Sequence, residues 1–176
     1  MNENIKAIWL QIEKEKAEFL GMLEHWTPEQ LQFKPDGGWN AIQVMDHIIT
    51  SEFGTLSYMK KKTQAKPEEL TQAKDDSKEN SDKLNNALIS DRQWKAPDIL
   101  PHPTDEDGFE TKMLQWSKVR QSFFAFLDEL APDYYEKQIF KHPFAGRFNL
   151  EQTLGFVLNH IVHHKHQIHR IQEAMK

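Results

Sequence analysis

Four separate stretches of this sequence repeat their apolar residues every three or four positions, a spacing that confines each of them to a helix. Ile5, Ile8, Trp9, Ile12, Phe19, Leu20 and Leu23 mark the first, between Ile5 and Trp26. Ile42, Met45, Ile49, Phe53 and Leu56 mark the second, which runs to about residue 62. Met113, Leu114, Trp116, Val119, Phe123, Phe124, Phe126, Leu127 and Leu130 mark the third, over roughly 110–130. The fourth starts after Asn149 and runs to the C-terminus. Thr27-Pro28-Glu29-Gln30 predicts a short helical turn with proline at its first position. Asn40 and Asn149 each stand three residues before a glutamine, Gln43 and Gln152, which is the spacing of a capping box. Only 7 of the 176 residues are glycine, and that favours long helices over many short strands. The economical fold is all-α: one domain over residues 1–176, a four-helix bundle with a long polar connection between its second and third helices.

That connection, residues 63–93, is rich in Lys, Glu, Asp, Ser and Asn. It reads as a solvated excursion, partly helical, with Pro67 opening a turn. Lys95-Ala96-Pro97 to Pro103 reads as extended, because its prolines exclude a helix interior. Residues 131–148 read as a loop that contains His142-Pro143-Phe144-Ala145-Gly146-Arg147-Phe148. The chain has no cysteine, which excludes disulfides, thiolate metal sites and a cysteine nucleophile of its own. Its net charge of −5 is a poor match for nucleic acid. No apolar run approaches the roughly 20 residues needed to cross a bilayer, and the N-terminus lacks the pattern of a signal peptide. The expected location is the cytoplasm.

Nine histidines stand out. Five of them, His160, His163, His164, His166 and His169, lie on the last helix. At about 100° per residue, His164 falls roughly 50° from the centre of the apolar stripe and His160 roughly 90° from it on the same side. The two share a flank at i, i+4, and such a pair can chelate one ion. His163 and His166 point away and read as a solvated face. His169 reads as a hydrogen-bonded edge residue. A third ligand would have to come from another helix, with His25, His47, His102 and His142 as candidates. Periodicity does not choose His47: it lies off the Met45–Ile49–Leu56–Met59 stripe, beside Val44 and Ser51, and reads as exposed.

Several motifs together resemble the DinB/YfiT superfamily. They are Trp39-Asn40 with His47-Ile48 downstream, then His142-Pro143 with Gly146, then Asn149-Leu150-Glu151, and then Asn159-His160 with His164 and Gln167-Ile168. Lys34-Pro35 and Lys95-Ala96-Pro97 extend the resemblance over nearly the whole chain, with residues 63–93 unmatched. Lys165-His166 stands where the family often has Arg-Gly, at positions read as facing solvent. The resemblance implies a four-helix bundle, often dimeric, that holds one divalent metal ion through His47, His160 and His164. It makes Gln167 a residue bonded to a ligand or to bound water. It also requires the Val44–His47–Ser51 flank to face the bundle centre, leaving the Met45–Leu56 face to bury elsewhere.

Three neutral imidazoles leave an ion its full charge and an open position, which is the arrangement of a catalytic site. Imidazole suits zinc and nickel among others. The family's best-characterised enzymes use low-molecular-weight thiols, so the first expectation is a metal-dependent transferase that activates an exogenous thiol toward an electrophilic small molecule. Alternatives are a metal-dependent hydrolase that activates water, and a non-catalytic metal-binding stress-response protein. Hydrolysis would need an acid or base beside the ion. Glu52 is the only acid on the apolar stripe of the second helix, and it reads more simply as a paired carboxylate at a bundle or dimer interface. Trp39, Trp116, Phe144 and Phe156 are candidates either for a substrate pocket or for the core. The expected partners are a small-molecule substrate and a second copy of the chain in a homodimer, with no nucleic acid and no membrane.

Overall fold

In the computed structural model, residues 1–90 and 101–176 are described. Helix α1 spans Glu3–Leu23, and its first turn is closed by the Asn2 side chain, which accepts from the Ile5 amide. Its buried positions, Ile5, Trp9, Ile12, Lys16, Phe19 and Leu23, follow the three- and four-residue period. Helix α2, Pro28–Gln32, opens with the Thr27/Gln30 capping box and carries proline in its first turn. Helix α3, Ala41–Lys62, and helix α6, Leu150–Ala174, open with the Asn40/Gln43 and Asn149/Gln152 boxes. Helix α5 spans Phe109–Glu129. These four long helices form the expected bundle: α1 packs on α6, α3 on α5, and α3 on α6.

Two elements depart from the expected outline. Within residues 63–93 lies helix α4, Asp75–Leu88, which docks on α6. It does so with Ser77, Ser81 and Leu88 buried and Leu84 half-buried, a helical period carried largely by small hydroxyls. The Ser77 hydroxyl donates to the Arg147 carbonyl and bonds Gln152 Oε1 at 3.0 Å. Asn85 approaches the space a Cβ at Gly155 would occupy, at 3.3 Å. The segment is therefore not simply a solvated excursion. Within residues 131–148, β1 (Phe140–His142) pairs antiparallel with β2 (Gly146–Phe148), with Phe140 opposite Phe148 and His142 opposite Gly146. Gly146 has φ +88, a conformation that suits the end of a three-residue hairpin loop and favours glycine. The extended reading of Lys95 to Pro103 falls mostly on residues 91–100, outside the described residues.

Helix α3 is buried on more than one face. Val44, Met45, His47, Ile48, Glu52, Leu56 and Met59 are all sealed, because α2, α5, α6 and β1 pack around it. The Met45–Leu56 stripe and the His47 flank thus bury together, and no outside partner is needed to cover either. Phe53 (60% exposed) and Leu114 (64%) do face outward, although both belong to the apolar repeats of their helices.

Glu52 is 2% exposed. Its carboxylate accepts from Arg120 at 2.6 Å and from the Trp116 indole at 2.9 Å, and Arg120 also reaches Glu13 at 3.2 Å. Burial pushes the Glu52 carboxyl up, and the guanidinium opposes that. Trp116, fully buried, packs edge-on to Phe19. This group ties α1, α3 and α5 together. Breaking it from one side strands a buried charge, so Arg120→Met is expected to cost about 3–5 kcal/mol in urea unfolding. Glu52→Gln/Arg120→Met keeps an acceptor for Trp116 and should cost clearly less than the single change.

Candidate metal centre

The i, i+4 pair on α6 and His47 on α3 converge. His160 Nε2 lies 3.0 Å from His164 Nε2 and 3.2 Å from His47 Nε2. All three rings are buried, and their nitrogens lie within 4.8 Å of one another. The capping boxes set the register that allows this. Asn40 begins α3 seven residues before His47, and Asn149 begins α6 eleven residues before His160. Asp46, beside His47, accepts from the Thr104 amide at 2.9 Å and from Lys112 at 2.7 Å, which anchors that turn of α3 to the start of α5.

Each imidazole rests against one further ring. Trp39 lies 5.1 Å from His47, Phe156 stacks on His160 at 5.3 Å, and His163 meets His164 edge-on at 5.1 Å. Gln167 Oε1 lies 2.8 Å from His164 Nδ1. With the amide oxygen accepting, Nδ1 carries the proton and Nε2 turns a bare lone pair into the cluster.

The three nitrogens share too few protons to satisfy one another. If His47 donates to a bare His160 Nε2, the contact between His160 and His164 is lone pair against lone pair; if His160 donates instead, its single N–H serves only one of its two neighbours. Burial pushes His47 down to about 4, and His163 adds to the effect. Burial and the neighbouring histidines hold His160 and His164 well below the usual range. All three are therefore neutral near pH 7, the form that ligates metal. Metal–imidazole bonds of about 2.0–2.1 Å would set such nitrogens about 2.9 Å apart at right angles and about 3.3 Å apart at tetrahedral angles. The observed separations fit that range, and the cluster could hold a metal ion.

The other histidines divide differently from their helical-wheel positions. His163 is 6% exposed, not solvated, because α4 covers that side of α6 and its Nδ1 donates to the Leu88 carbonyl at 3.0 Å. His166 is half-buried. Lys165, expected in solvent, is half-buried and bonds Glu15 at 2.7 Å and also Glu18, so it joins α6 to α1. His169 is exposed, with no hydrogen bond among the described residues. His25 and His102 are exposed and stand outside the cluster. His142 is buried beside Phe156, its ring 4.8 Å away. Phe144 is 75% exposed. Glu52 is taken up by Arg120 and Trp116. Sequence periodicity missed the contacts of His163 and His142 with this site. The Ser77–Ser81–Leu84–Leu88 spacing and the short loop between Phe140 and Phe148 are the signals that carry them.

The family model described as DinB superfamily matches residues 11–168. No curated protein and no solved structure matches the chain. Among the described residues, no helix is long and apolar enough to cross a membrane.

The buried neutral imidazoles make stability depend on pH. Unfolded, His47 and His142 titrate near the ordinary histidine value of 6.5; folded, burial holds both at about 4. Between those values the unfolded chain binds more protons. Stability is therefore full above pH 6.5 and falls as pH drops toward 4, by about 1.4 kcal/mol per pH unit for each such imidazole. Urea unfolding of metal-free protein across that window should show the slope, and His142→Phe should lower it by about one proton.

Proposed function

This chain belongs to the DinB superfamily, and we propose that it binds one divalent metal ion, zinc or nickel, through His47, His160 and His164 and uses it to activate an exogenous low-molecular-weight thiol toward an electrophilic small molecule. The observation that carries this reading is the meeting of three neutral imidazole Nε2 atoms at 3.0 and 3.2 Å. Held by the uncharged imidazoles of His47, His160 and His164, such an ion would keep its charge and would supply the acidity that turns a thiol into a thiolate nucleophile.

The chain's own part is positional. His47, His160 and His164 present lone pairs, and Gln167 fixes the proton of His164 on the outer nitrogen. Trp39 and Phe156 pack against the His47 and His160 rings and hold them in place. The chain has no cysteine, so the thiol comes from outside. Thiol transfer is favoured over hydrolysis because the acid that hydrolysis would need, Glu52, already accepts from Arg120 and Trp116. The reading places the protein in the cytoplasm, where low-molecular-weight thiols are kept reduced. It also includes a homodimer, for which Phe53 on α3 and Leu114 on α5 are exposed apolar contacts.

The test is thioether formation from a panel of small thiols and a chloro-dinitro aromatic, followed by absorbance. The expected result is a rate above background with at least one thiol, abolished by chelation and by His160→Ala and restored to wild type by added metal. Adduct formation that is indifferent to chelator overturns the reading. Metal-dependent hydrolysis of a model ester without thiol transfer would overturn it in favour of a hydrolase.

A further inference from the structure

His142 is buried near the metal centre but is not part of it, and a hairpin positions it instead of a helix. It ends β1, opposite Gly146. Its Nδ1 accepts from two backbone amides of the turn, Ala145 at 3.1 Å and Phe144 at 3.3 Å. The positive φ of Gly146 lets the loop fold back under the ring. An imidazole nitrogen that accepts twice carries no proton, so the ring proton is on Nε2. Burial pushes this histidine down to about 4, and the ring is neutral near pH 7.

That Nε2–H has no acceptor among the described residues, and it is not among their sealed unpartnered polar atoms. The turn holds one nitrogen by two bonds and leaves the other without an acceptor among the described residues. Its surroundings are aromatic: Phe156 at 4.8 Å edge-on, Phe148 at 6.1 Å and Phe144 at 6.2 Å. Phe156 in turn stacks on His160 at 5.3 Å. The His142 ring thus stands one aromatic ring from the three-nitrogen cluster, close enough for a charge on His142 to act on His160. A neutral donor among aromatic rings suits a neutral acceptor, because a phosphate would need a cation beside it. The most common neutral acceptor of that kind is a carbonyl oxygen.

We propose that the Nε2–H of His142 is a hydrogen-bond subsite for a carbonyl oxygen on the small thiol that engages the His47–His160–His164 centre. The assignment rests on the metal and thiol reading above and names which thiols the centre prefers. His142 is a specificity residue in this scheme, and metal binding does not require it.

The test uses the full chain loaded with cobalt, whose sulfur-to-metal absorbance reports thiol binding directly. N-acetylcysteamine carries an amide carbonyl, and pentanethiol is an alkyl thiol of similar length. Wild type is expected to bind the first about tenfold more tightly, the worth of one good hydrogen bond. In His142→Phe that preference should vanish, with cobalt content and pentanethiol affinity unchanged. A preference that survives in His142→Phe overturns the assignment and leaves the metal reading intact. Absence of the sulfur-to-metal band with either thiol overturns the metal and thiol reading, and this assignment with it. An independent readout needs no variant. Two-bond proton–nitrogen NMR of metal-free wild type should show His142 protonated on Nε2, and a proton on Nδ1 overturns the proposal.

Discussion

Three imidazole nitrogens that face one another at 3.0 and 3.2 Å, with room for at most one proton between neutral neighbours, are held there against their own electrostatics. The cost is kept by the packing around them. Trp39, Phe156 and His163 each back one ring, and the helices that carry the rings are pinned at their starts by reciprocal caps. Burial works in the same direction. It makes protonation of the cluster expensive, so repulsion cannot be relieved by taking up protons near neutral pH. A cation between the nitrogens would relieve it, and the three rings would not need to move far to hold one.

Much of the remaining architecture serves to keep α3 and α6 at this spacing. The Glu52–Arg120–Trp116 group locks α3 to α5 and α1 from the inside. Asp46 and Lys112 do the same at the level of His47, and Lys165 with Glu15 and Glu18 closes α6 onto α1. Helix α4 adds a wall on the far side of α6, where the His163 bond to Leu88 connects it to the ring behind His164. The β-hairpin supplies the last neighbour, His142, against Phe156. Charged and polar side chains therefore sit inside this bundle mainly as paired ties between helices.

Local signals in the sequence carried the frame well. The Asn40/Gln43 and Asn149/Gln152 boxes form and Thr27 opens the short helical turn, because a cap depends only on residues three apart. The His160/His164 pair was legible for a similar reason, since helical spacing alone places both on one flank. His47 was not legible from periodicity. A stripe argument assumes that a helix has one buried face, and α3 is covered on more than one side, so a polar position off the main stripe is buried too. The family resemblance, which rests on motifs far apart in the chain, supplied His47. Residues 63–93 read as partly helical, but the docking of α4 escaped because its buried face is Ser77 and Ser81, small hydroxyls that score as polar, and because Asn85 is the side chain that comes close to Gly155. His163 was misread as a consequence, since its burial depends on α4. The hairpin escaped because two three-residue strands give too little alternation to stand out.

The most direct test of the account is metal content by mass spectrometry on untagged protein, wild type beside His47→Ala and His160→Ala. One equivalent of a divalent ion in wild type, lost in both variants while helical content is retained, is the predicted result. It would mean that residues on α3 and α6, far apart in sequence, form one centre. Wild type that carries no metal and takes up neither zinc nor nickel would contradict the account, and the three imidazoles would then be a buried polar contact of the bundle.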